Sequence, residues 1–399
     1  MFNTIQEAIN DIRNGKPIIV VDDEDRENEG DLVIPAQVIT EDIINFMIKE
    51  ARGLMCVPIT KERSEELGLN LMTSNNTDSH GTAFTVSIDS LEGTTTGISV
   101  GDRYRTIKDI LNPEKKSRDF KKPGHLFPLI ASEGGVLDRK GHTEASVDIA
   151  KICGYSPVSV IIEIIKDNGE MARRDDLVEF SKKYNLKIIT IEDIIEYRKK
   201  NEVLIAREVE ANLPTMFGDF KIVAFSDQIE KKEYIALFKG ELKGKENVLV
   251  RLHSECLTGD VFGSKRCDCG EQLHKSLEGI NEKGEGLLIY LRQEGRGIGI
   301  YNKLKAYNLQ DQGYDTVEAN HILGFEDDLR DFAVAAQIIK NFEIESINIL
   351  TNNPKKIESL KKYDIKIKDR IEAETIPTEE NKKYLETKRD KMGHYILEK

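Results

Sequence analysis

The chain has 399 residues, too many for one hydrophobic core of ordinary size, and this length predicts two domains. Hydrophobic residues at 39%, charged residues at 32% and only 10 prolines exclude a disordered chain. A formal charge of −13 repels phosphate at long range, which argues against nucleic acid and anionic membranes as partners and leaves phosphorylated small molecules to local clusters of Arg and Lys.

The first seven residues, Met1 to Glu7, have no basic flank leading into an apolar run, and no later stretch is apolar for long enough to span a bilayer, which predicts a cytoplasmic protein. A helix is predicted to end at Gly15, followed by a buried strand Pro17–Val21. Thr40 reads as the N-cap of a helix presenting Ile44, Met47, Ile48 and Ala51 on one face, with Gly53 just past its end. Strands are expected over Ala83–Asp89 and Val158–Ile165. Alternation of strands and helices predicts an α/β layer fold for residues 1–200. From Tyr197 to Glu210 apolar periodicity gives way to charge, and the linker is placed there.

From Asp219 the pattern restarts with strands at Lys221–Phe225, Tyr234–Phe238 and Val248–His253, the first two suited to a hairpin. Later strands are expected at Leu287–Leu291 and Ile347–Leu350. The fold class is therefore α/β (α+β), two domains over 1–200 and 201–399, each a mixed sheet with packed helices. The Lys-rich tail (Lys382, Lys383, Lys388, Arg389, Lys391) reads as the solvated face of a terminal helix.

Five cysteines are an odd number at low density, which favours reduced thiols. Cys56 and Cys153 read as small apolar packing residues. Ten residues separate Cys256 from Cys267, and Cys269 follows two positions on, so a short loop can bring three thiolates to one soft cation, above all zinc. Three ligands leave a fourth position for water; a structural zinc closed by His253 or His274 is the alternative. Arg251, His253 and Glu255 share one face of the strand leading into Cys256. The segment Arg292–Gly299 follows a buried strand and enters a helix, where backbone N–H groups can face phosphate. It is not a dinucleotide fingerprint, because position 300 is Ile300, and Gly240–Glu246 is not a phosphate-binding Walker loop.

In the first half, Asp22-Asp23-Glu24-Asp25-Arg26-Glu27-Asn28-Glu29-Gly30-Asp31 follows the buried strand directly. A solvated turn is one reading and a hard cation the other; a calcium loop fails because Ala36 stands where the bidentate Glu is needed. A second signal is Asp138–Ala145, a basic turn feeding a helix whose free N–H groups can take a sugar phosphate, with His142 as a possible ligand.

Residues 201–399 resemble GTP cyclohydrolase II, on Arg251–Asp260, Arg266–Gly270, Gln293–Gly299, Asp315–Asn320, Asp328–Phe332 and Thr351–Lys356. The resemblance implies that GTP loses formate and pyrophosphate to leave a diaminopyrimidine nucleotide. It implies one Zn²⁺ on Cys256, Cys267 and Cys269, and GTP held by Arg251, Leu252, His253, Ser254, Glu255, Gln272, Glu294, Gly295, Arg296, Thr316, Thr351 and Lys356, with Tyr307 near the ring. Asp328 would be the proton acceptor and Arg330 a nucleophile towards the α-phosphate. A guanidinium lacks a free lone pair at neutral pH, so a phosphate clamp is the physical alternative for Arg330, and on a helix Asp328 and Arg330 would face apart.

Residues 1–200 are similar to 3,4-dihydroxy-2-butanone-4-phosphate synthase, on the acidic decapeptide, Asn76–His80, Lys122–His125 and Arg139–Thr143. This implies conversion of D-ribulose 5-phosphate to the butanone phosphate and formate, with two Mg²⁺ or Mn²⁺ ions held by Glu27 and His142. Arg26, Glu27, Asp31, Arg139, Lys140, Gly141, His142, Thr143 and Glu163 would hold the substrate, with His125 and Glu163 as catalytic groups. Two departures are Ile162 in place of the usual Cys before Glu163, and Lys122 in place of Arg. Together the halves resemble a bifunctional riboflavin biosynthesis family, and a homodimer is expected. A chain with one active half, or a zinc-stabilised nucleotide-binding regulator, are the competing readings.

Overall fold

The structure is a computed structural model describing residues 2–229, 231–373 and 377–396. It divides into two compact units, Met1–Asn201 and Glu202–Lys399. No helix among the described residues is long and apolar enough to cross a membrane.

The first unit is built on strands β1 (Ile18–Val21), β2 (Gly30–Pro35), β3 (Cys56–Ile59), β4 (Ile88–Ser90), β5 (Phe120–Ile130), β6 (Ser159–Glu163) and β7 (Ile188–Thr190), in the order β4-β5-β3-β6-β2-β1-β7. Its sheet is mixed: β1 pairs antiparallel with β2 and parallel with β7. Apolar side chains leave both faces of β1 and β2, which are buried at every position, as a sheet covered on both sides requires. One face packs on Ile44, Met47 and Ile107, the other on Ile9, Ile12, Ile149 and Ile194.

Three expectations are corrected here. Thr40 does cap its helix, accepting from Ile43 N–H, but the α-helix Glu41–Phe46 passes into a π-turn over Met47–Ala51, and Arg52 rather than Gly53 takes the left-handed conformation (φ 70°). Gly53 is needed for another reason: a Cβ there would stand 2.5 Å from the Glu163 carbonyl oxygen. The strand expected over Ala83–Asp89 shrinks to Ile88–Ser90, with Phe84 and Thr85 making isolated bridges. The boundary between the units, Asn201/Glu202, falls inside the linker placed over Tyr197–Glu210, but that linker is short: the end of a helix, Ile191–Asn201, and the start of a strand take up most of the stretch. Its charges mislead because Arg198 is buried against Asp148 at 2.7 Å, while the exposed charges of the following strand ride on an edge.

The second unit carries β8 (Ile205–Thr215), β9 (Gly218–Asp227), β10 (Glu233–Lys239), β11 (Val248–Ser254), β12 (Gly286–Leu291), β13 (Ile347–Leu350) and β14 (Ile367–Ile371), in the order β14-β13-β11-β12-β10-β9-β8. The β8–β9–β10 meander is antiparallel and the β12-β11-β13-β14 part parallel, so this sheet too is mixed. The pattern restarts at Ile205, not Asp219, because β8 buries little besides Ile205 and shows no alternation. The carboxyl ends of β11, β12 and β13 feed the loops carrying the zinc-type cysteines, the Gln293–Gly299 turn and Thr351–Asn353, the edge where parallel sheets place binding sites.

Candidate functional site

In the first unit the acidic loop is organised around Asp22. Its carboxylate accepts from the backbone N–H groups of Glu27 (3.1 Å) and Glu29 (2.9 Å) and from Arg26 Nη1 (2.9 Å). Asn28 takes a left-handed conformation (φ 54°), which Asn tolerates better than most residues. Glu27 then faces His142, the first residue of the helix His142–Ile152, with Oε2 3.7 Å from Nδ1. Asp22, Glu27 and His142 each place one ligand-type atom within 4.8 Å of the others. His142 Nε2 is buried without a hydrogen-bond partner, an expensive arrangement unless something else occupies it. The neighbouring His142 ring, against the opposing effect of burial, holds the Glu27 carboxyl down at about 2.

Asp31 pairs in register with Glu163 across β2 and β6. Burial raises Asp31 to about 7, with His142 opposing and Glu163 and Glu27 adding to the rise. Glu163 Oε2 in turn accepts from Leu54 N–H at 2.7 Å. Extending the β3–β5 and β3–β6 registers by two residues puts Leu54 level with His125 on one side and Glu163 on the other. Asp31, Glu163 and His125 thus stand in one row at one end of adjacent strands, with His125 about 14 Å from Asp31 at three strand spacings. His125 is held by Asp89, which accepts its backbone N–H (2.9 Å) and contacts Nδ1 (2.7 Å). A Cβ on Gly97 would strike His125 Nδ1 at 2.5 Å, so only glycine lets that loop close.

Arg139 donates to Glu144 (2.6 Å), to the His80 carbonyl (3.1 Å) and to Thr82 (3.1 Å), tying the Asn76–Thr82 loop to the helix that begins at His142. Thr143 is buried in that first turn. Lys140 is not brought to the cluster: it lies exposed, 3.4 Å from Glu192. Lys122 donates to the carbonyls of Leu67 and Gly68, and Ile162 lies in the core, so neither departure from the synthase pattern touches the cluster. Residue reading missed Asp22, Asp89 and His80, whose Nδ1 is 3.8 Å from Glu27 Oε1; Asp22 and His80 stood inside quoted motifs, but their partners are distant in sequence.

In the second unit Cys256, Cys267 and Cys269 bring their sulfurs within 4.8 Å of one another, with Cys256 and Cys267 at 3.6 Å. A Cβ on Gly259 would sit 3.1 Å from two of these sulfurs. Three thiols, and no fourth His, Cys, Asp or Glu among the described residues, converge there. Neither His253 nor His274 brings a ring nitrogen into that cluster: His253 Nε2 is 3.0 Å from both Asp260 oxygens, and His274 lies against Phe217 at 4.9 Å. Lys303 Nζ donates to Cys256 Sγ (3.1 Å) and Glu294 (2.7 Å), an arrangement that favours thiolate. By contrast Cys56 and Cys153 are isolated in the core, and burial pushes Cys153 up to about 11.

The sulfurs open on one cavity lined by Arg251, His253, Ser254, Glu255, Gln272, Glu294, Gly295, Arg296, Tyr307, Thr316, Arg330, Thr351 and Lys356. Leu252 is the exception: its side chain belongs to the core, and only its carbonyl faces the site, accepting from Lys356 Nζ at 2.7 Å. Arg251 is anchored by the Leu350 carbonyl (3.0 Å) and Gln272 (2.6 Å), and burial lowers it to about 10. Gly295, Arg296 and Gly297 run through three positive φ values (62°, 62°, 96°), and Leu329 N–H donates to the Arg296 carbonyl, joining this turn to Asp328–Arg330. Buried polar atoms without hydrogen-bond partners among the described residues cluster on the cavity: Arg251 Nε, His253 Nδ1, Ser254 Oγ, Gln293 Oε1, Arg296 Nη2, Asn353 Nδ2 and His394 Nε2. Seven cationic side chains line it against three carboxylates.

Asp328 and Arg330 lie in a non-helical segment, so residues two apart face each other. Arg330 donates bidentately to Asp328 at 2.7 and 2.6 Å, with side-chain exposures of 12% and 2%. The ion pair is thus real but buried, and Arg330, not Asp328, lines the cavity.

The tail also departs from its solvated-face reading. Lys388 is largely buried and meets Asp268 at 2.8 Å; the side chain of Lys383 lies outside the described residues. Burial, reinforced by Lys388, Arg330, Lys356 and Arg296 around it, presses His394 down to about 3. A base whose folded value lies below its unfolded value near 6.5 resists protonation only when folded, so it costs stability as pH falls from about 6.5 towards 3. In thermal unfolding, His394→Gln is expected to lose less stability than wild type between pH 7.5 and 5; equal losses would contradict this placement.

A family model described as 3,4-dihydroxy-2-butanone 4-phosphate synthase matches residues 6–197, and one described as GTP cyclohydrolase II matches residues 206–372. Riboflavin biosynthesis protein RibBA of Bacillus mycoides (strain KBAB4) is 57% identical over 396 residues, covering 99% of this chain and 100% of that protein. The chain belongs to the bifunctional riboflavin biosynthesis family. RibBA of Bacillus cereus (strain B4264) is 56% identical with the same coverage. The crystal structure of RibBX, a two domain 3,4-dihydroxy-2-butanone 4-phosphate synthase from A. baumannii, superposes with a TM-score of 0.67 at 34% identity, covering 92% of this chain and 99% of that one. In this family the synthase half is N-terminal and the cyclohydrolase half C-terminal, an order that matches the two units.

Proposed function

We propose that the second unit hydrolyses GTP to 2,5-diamino-6-(5-phosphoribosylamino)pyrimidin-4(3H)-one, formate and pyrophosphate, and that the first converts D-ribulose 5-phosphate to 3,4-dihydroxy-2-butanone 4-phosphate and formate. The observation carrying the GTP reading is a cationic cavity, lined with unpartnered polar atoms, opening on three thiols in a chain of net charge −13. RibBX is described as a synthase alone, so likeness of fold does not by itself carry that reading.

Cys256, Cys267 and Cys269 fit one zinc ion: three soft ligands, a Lys303 ammonium beside one of them, and room kept by Gly259. Zinc bound there supplies a Lewis acid that brings the pKa of a water towards neutrality. Arg251, Arg296, Arg330 and Lys356 neutralise and orient the triphosphate. Tyr307, placed beside the thiols by its contact with Thr258 (3.1 Å) and under the Arg266 guanidinium (4.9 Å), borders the base. His253, locked to Asp260, turns its unpartnered Nδ1 to the substrate.

Glu27 and His142, with Asp22 alongside, fit a divalent cation, Mg²⁺ or Mn²⁺: the two carboxylates supply hard oxygen ligands and the imidazole a nitrogen of the kind Mn²⁺ also accepts. A cation there supplies positive charge for the oxyanion formed when a proton leaves the carbon beside the carbonyl. Asp31, whose carboxyl burial raises above the usual carboxylate range, is suited to take and return a proton, and Glu163 stands beside it. Arg139 holds the Asn76–Thr82 loop over the site.

The test supplies purified protein with GTP or ribulose 5-phosphate separately and measures formate, alongside bound metal. No formate from either, with zinc bound, would leave a nucleotide-binding regulator; formate from one alone would leave one active half. Glu27→Gln, which keeps shape and removes charge, is expected to cut the ribulose 5-phosphate reaction at least about a hundredfold, since even groups behind a metal ligand are worth 10–100-fold. Its GTP reaction should be unchanged, and retention of both would remove Glu27 from the site.

A further inference from the structure

The match to the cyclohydrolase family model ends at residue 372, yet the cavity has a wall from beyond it: Tyr384, Lys388, Met392, His394 and Ile396. This segment is secured on three sides. The helix Lys382–Asp390 buries Leu385 and continues to Lys391, which pairs with Asp315 and with Glu318 at 3.2 Å, on the helix that starts at Thr316. Tyr395 N–H donates to the Asn352 carbonyl (2.9 Å), next to Thr351, while Arg370 stacks on the Tyr395 ring at 4.8 Å. Between these anchors Lys388 reaches Asp268, the residue between two of the three clustered cysteines.

From Lys388 a continuous chain of hydrogen bonds runs to the substrate side: Lys388 Nζ to Asp268 Oδ1 (2.8 Å), Gln272 Nε2 to Asp268 Oδ2 (2.6 Å), and Arg251 Nη2 to Gln272 Oε1 (2.6 Å). The Arg251 guanidinium is therefore aimed by a residue more than a hundred positions away. His394 carries the second observation. Its Nε2 is buried on the cavity with no hydrogen-bond partner among the described residues, in the field of Lys388, Arg330, Lys356 and Arg296. Two of those cations are already paired, Lys388 with Asp268 and Arg330 with Asp328, so among the described residues no acceptor is left over for this nitrogen, and a ligand reaching the cavity can supply one. In the neutral ring one nitrogen carries hydrogen, so Nε2–H can donate to a phosphate oxygen.

We propose that residues 377–396 complete the GTP site, with Lys388 as a positioning residue for Arg251 through Asp268 and Gln272, and His394 as a direct donor to the polyphosphate. This rests on the GTP reading and adds to it a binding wall outside the matched family region.

The test uses the full-length zinc-loaded protein and three variants: Lys388→Met, Lys388→Arg and His394→Ala. Three quantities are read: Kd for a non-hydrolysable GTP analogue, the KM and kcat for formate release from GTP, and zinc content. His394→Ala is expected to weaken analogue binding about tenfold or more, as loss of a hydrogen bond to a charged group does, with zinc unchanged. Lys388→Met is expected to raise Kd and KM at least about tenfold with zinc retained, and Lys388→Arg to recover most of that loss. Wild-type binding in both His394→Ala and Lys388→Met would overturn the proposal. So would loss of zinc in Lys388→Met in proportion to activity, or no recovery in Lys388→Arg, because either assigns Lys388 to scaffolding alone. If wild type itself releases no formate from GTP, the cyclohydrolase reading fails instead, and the variants are not needed to show it.

Discussion

Replacing Cys267 by serine is expected to abolish formate release from GTP while release from ribulose 5-phosphate continues at the wild-type rate. Serine keeps the size of the side chain and removes the soft, ionisable sulfur, leaving Cys256 and Cys269 as a two-ligand site. Groups that merely orient a ligand are worth 10–100-fold in affinity or activity, so loss of a ligand should exceed about a hundredfold. The other reaction is spared because each core cluster draws its residues from one unit: Ile19 to Ile188 and Ile5 to Ile195 in the first, Ile205 to Ile365 and Phe220 to Leu288 in the second. Paired formate assays with zinc analysis decide it. Loss of both reactions would contradict independent units, and retained GTP turnover would remove Cys267 from the chemistry.

Wild-type enzyme quenched during GTP turnover is expected to carry no phosphoguanylyl group on Arg330, and Arg330→Lys is expected to lower GTP turnover about a hundredfold. Burial disfavours the Arg330 charge, but the two hydrogen bonds it donates to Asp328 and the negative charge of that carboxylate outweigh that, so the guanidinium pKa lies above its usual value. A group so firmly protonated has no lone pair to attack phosphorus. Its planar fork is already oriented by Asp328 and can grip phosphate with its remaining donor positions, a geometry that an ammonium does not reproduce. Lysine keeps the charge, whereas an apolar residue would leave Asp328 buried and unpaired at a cost of about 3–5 kcal/mol and confuse catalysis with folding. Mass spectrometry of the quenched enzyme reads the adduct directly; finding it would assign Arg330 as nucleophile.

Motif spacing made much of the site legible. Cys256, Cys267 and Cys269 are close in sequence, so their convergence needs only a short loop, and Arg251 with His253 needs only a strand. What escaped reading are the groups that hold those residues. Asp260 fixes His253, Tyr290 (2.8 Å) and the Cys256 N–H (3.0 Å), and Lys303 approaches Cys256 from 47 residues away in sequence. Asp89 holds His125 from a strand whose length the residue pattern overstated, because Phe84 and Thr85 alternate in character without pairing as a continuous strand. The charge-rich stretch Tyr197–Glu210 contains the boundary between the units but overstated the linker's length, because charge reports solvent or a partner with equal force, and only the fold reveals Asp148 opposite Arg198.

The sequence by itself determined the two-part division of chemistry: a thiol triad with its basic neighbours in one half, an acidic loop and a basic helix start in the other, in mixed α/β folds. Those features are local, carried by residue types at short spacing, and they survive any reasonable folding of the segments between them. Tertiary structure alone decided that His142 reaches Glu27, that Asp328 locks Arg330 face to face, that neither His253 nor His274 closes the thiol site, and that the lysine-rich tail turns Lys388 inward. Each of these joins groups through space, where burial and pairing set the charge a side chain carries, and residue order does not encode those distances.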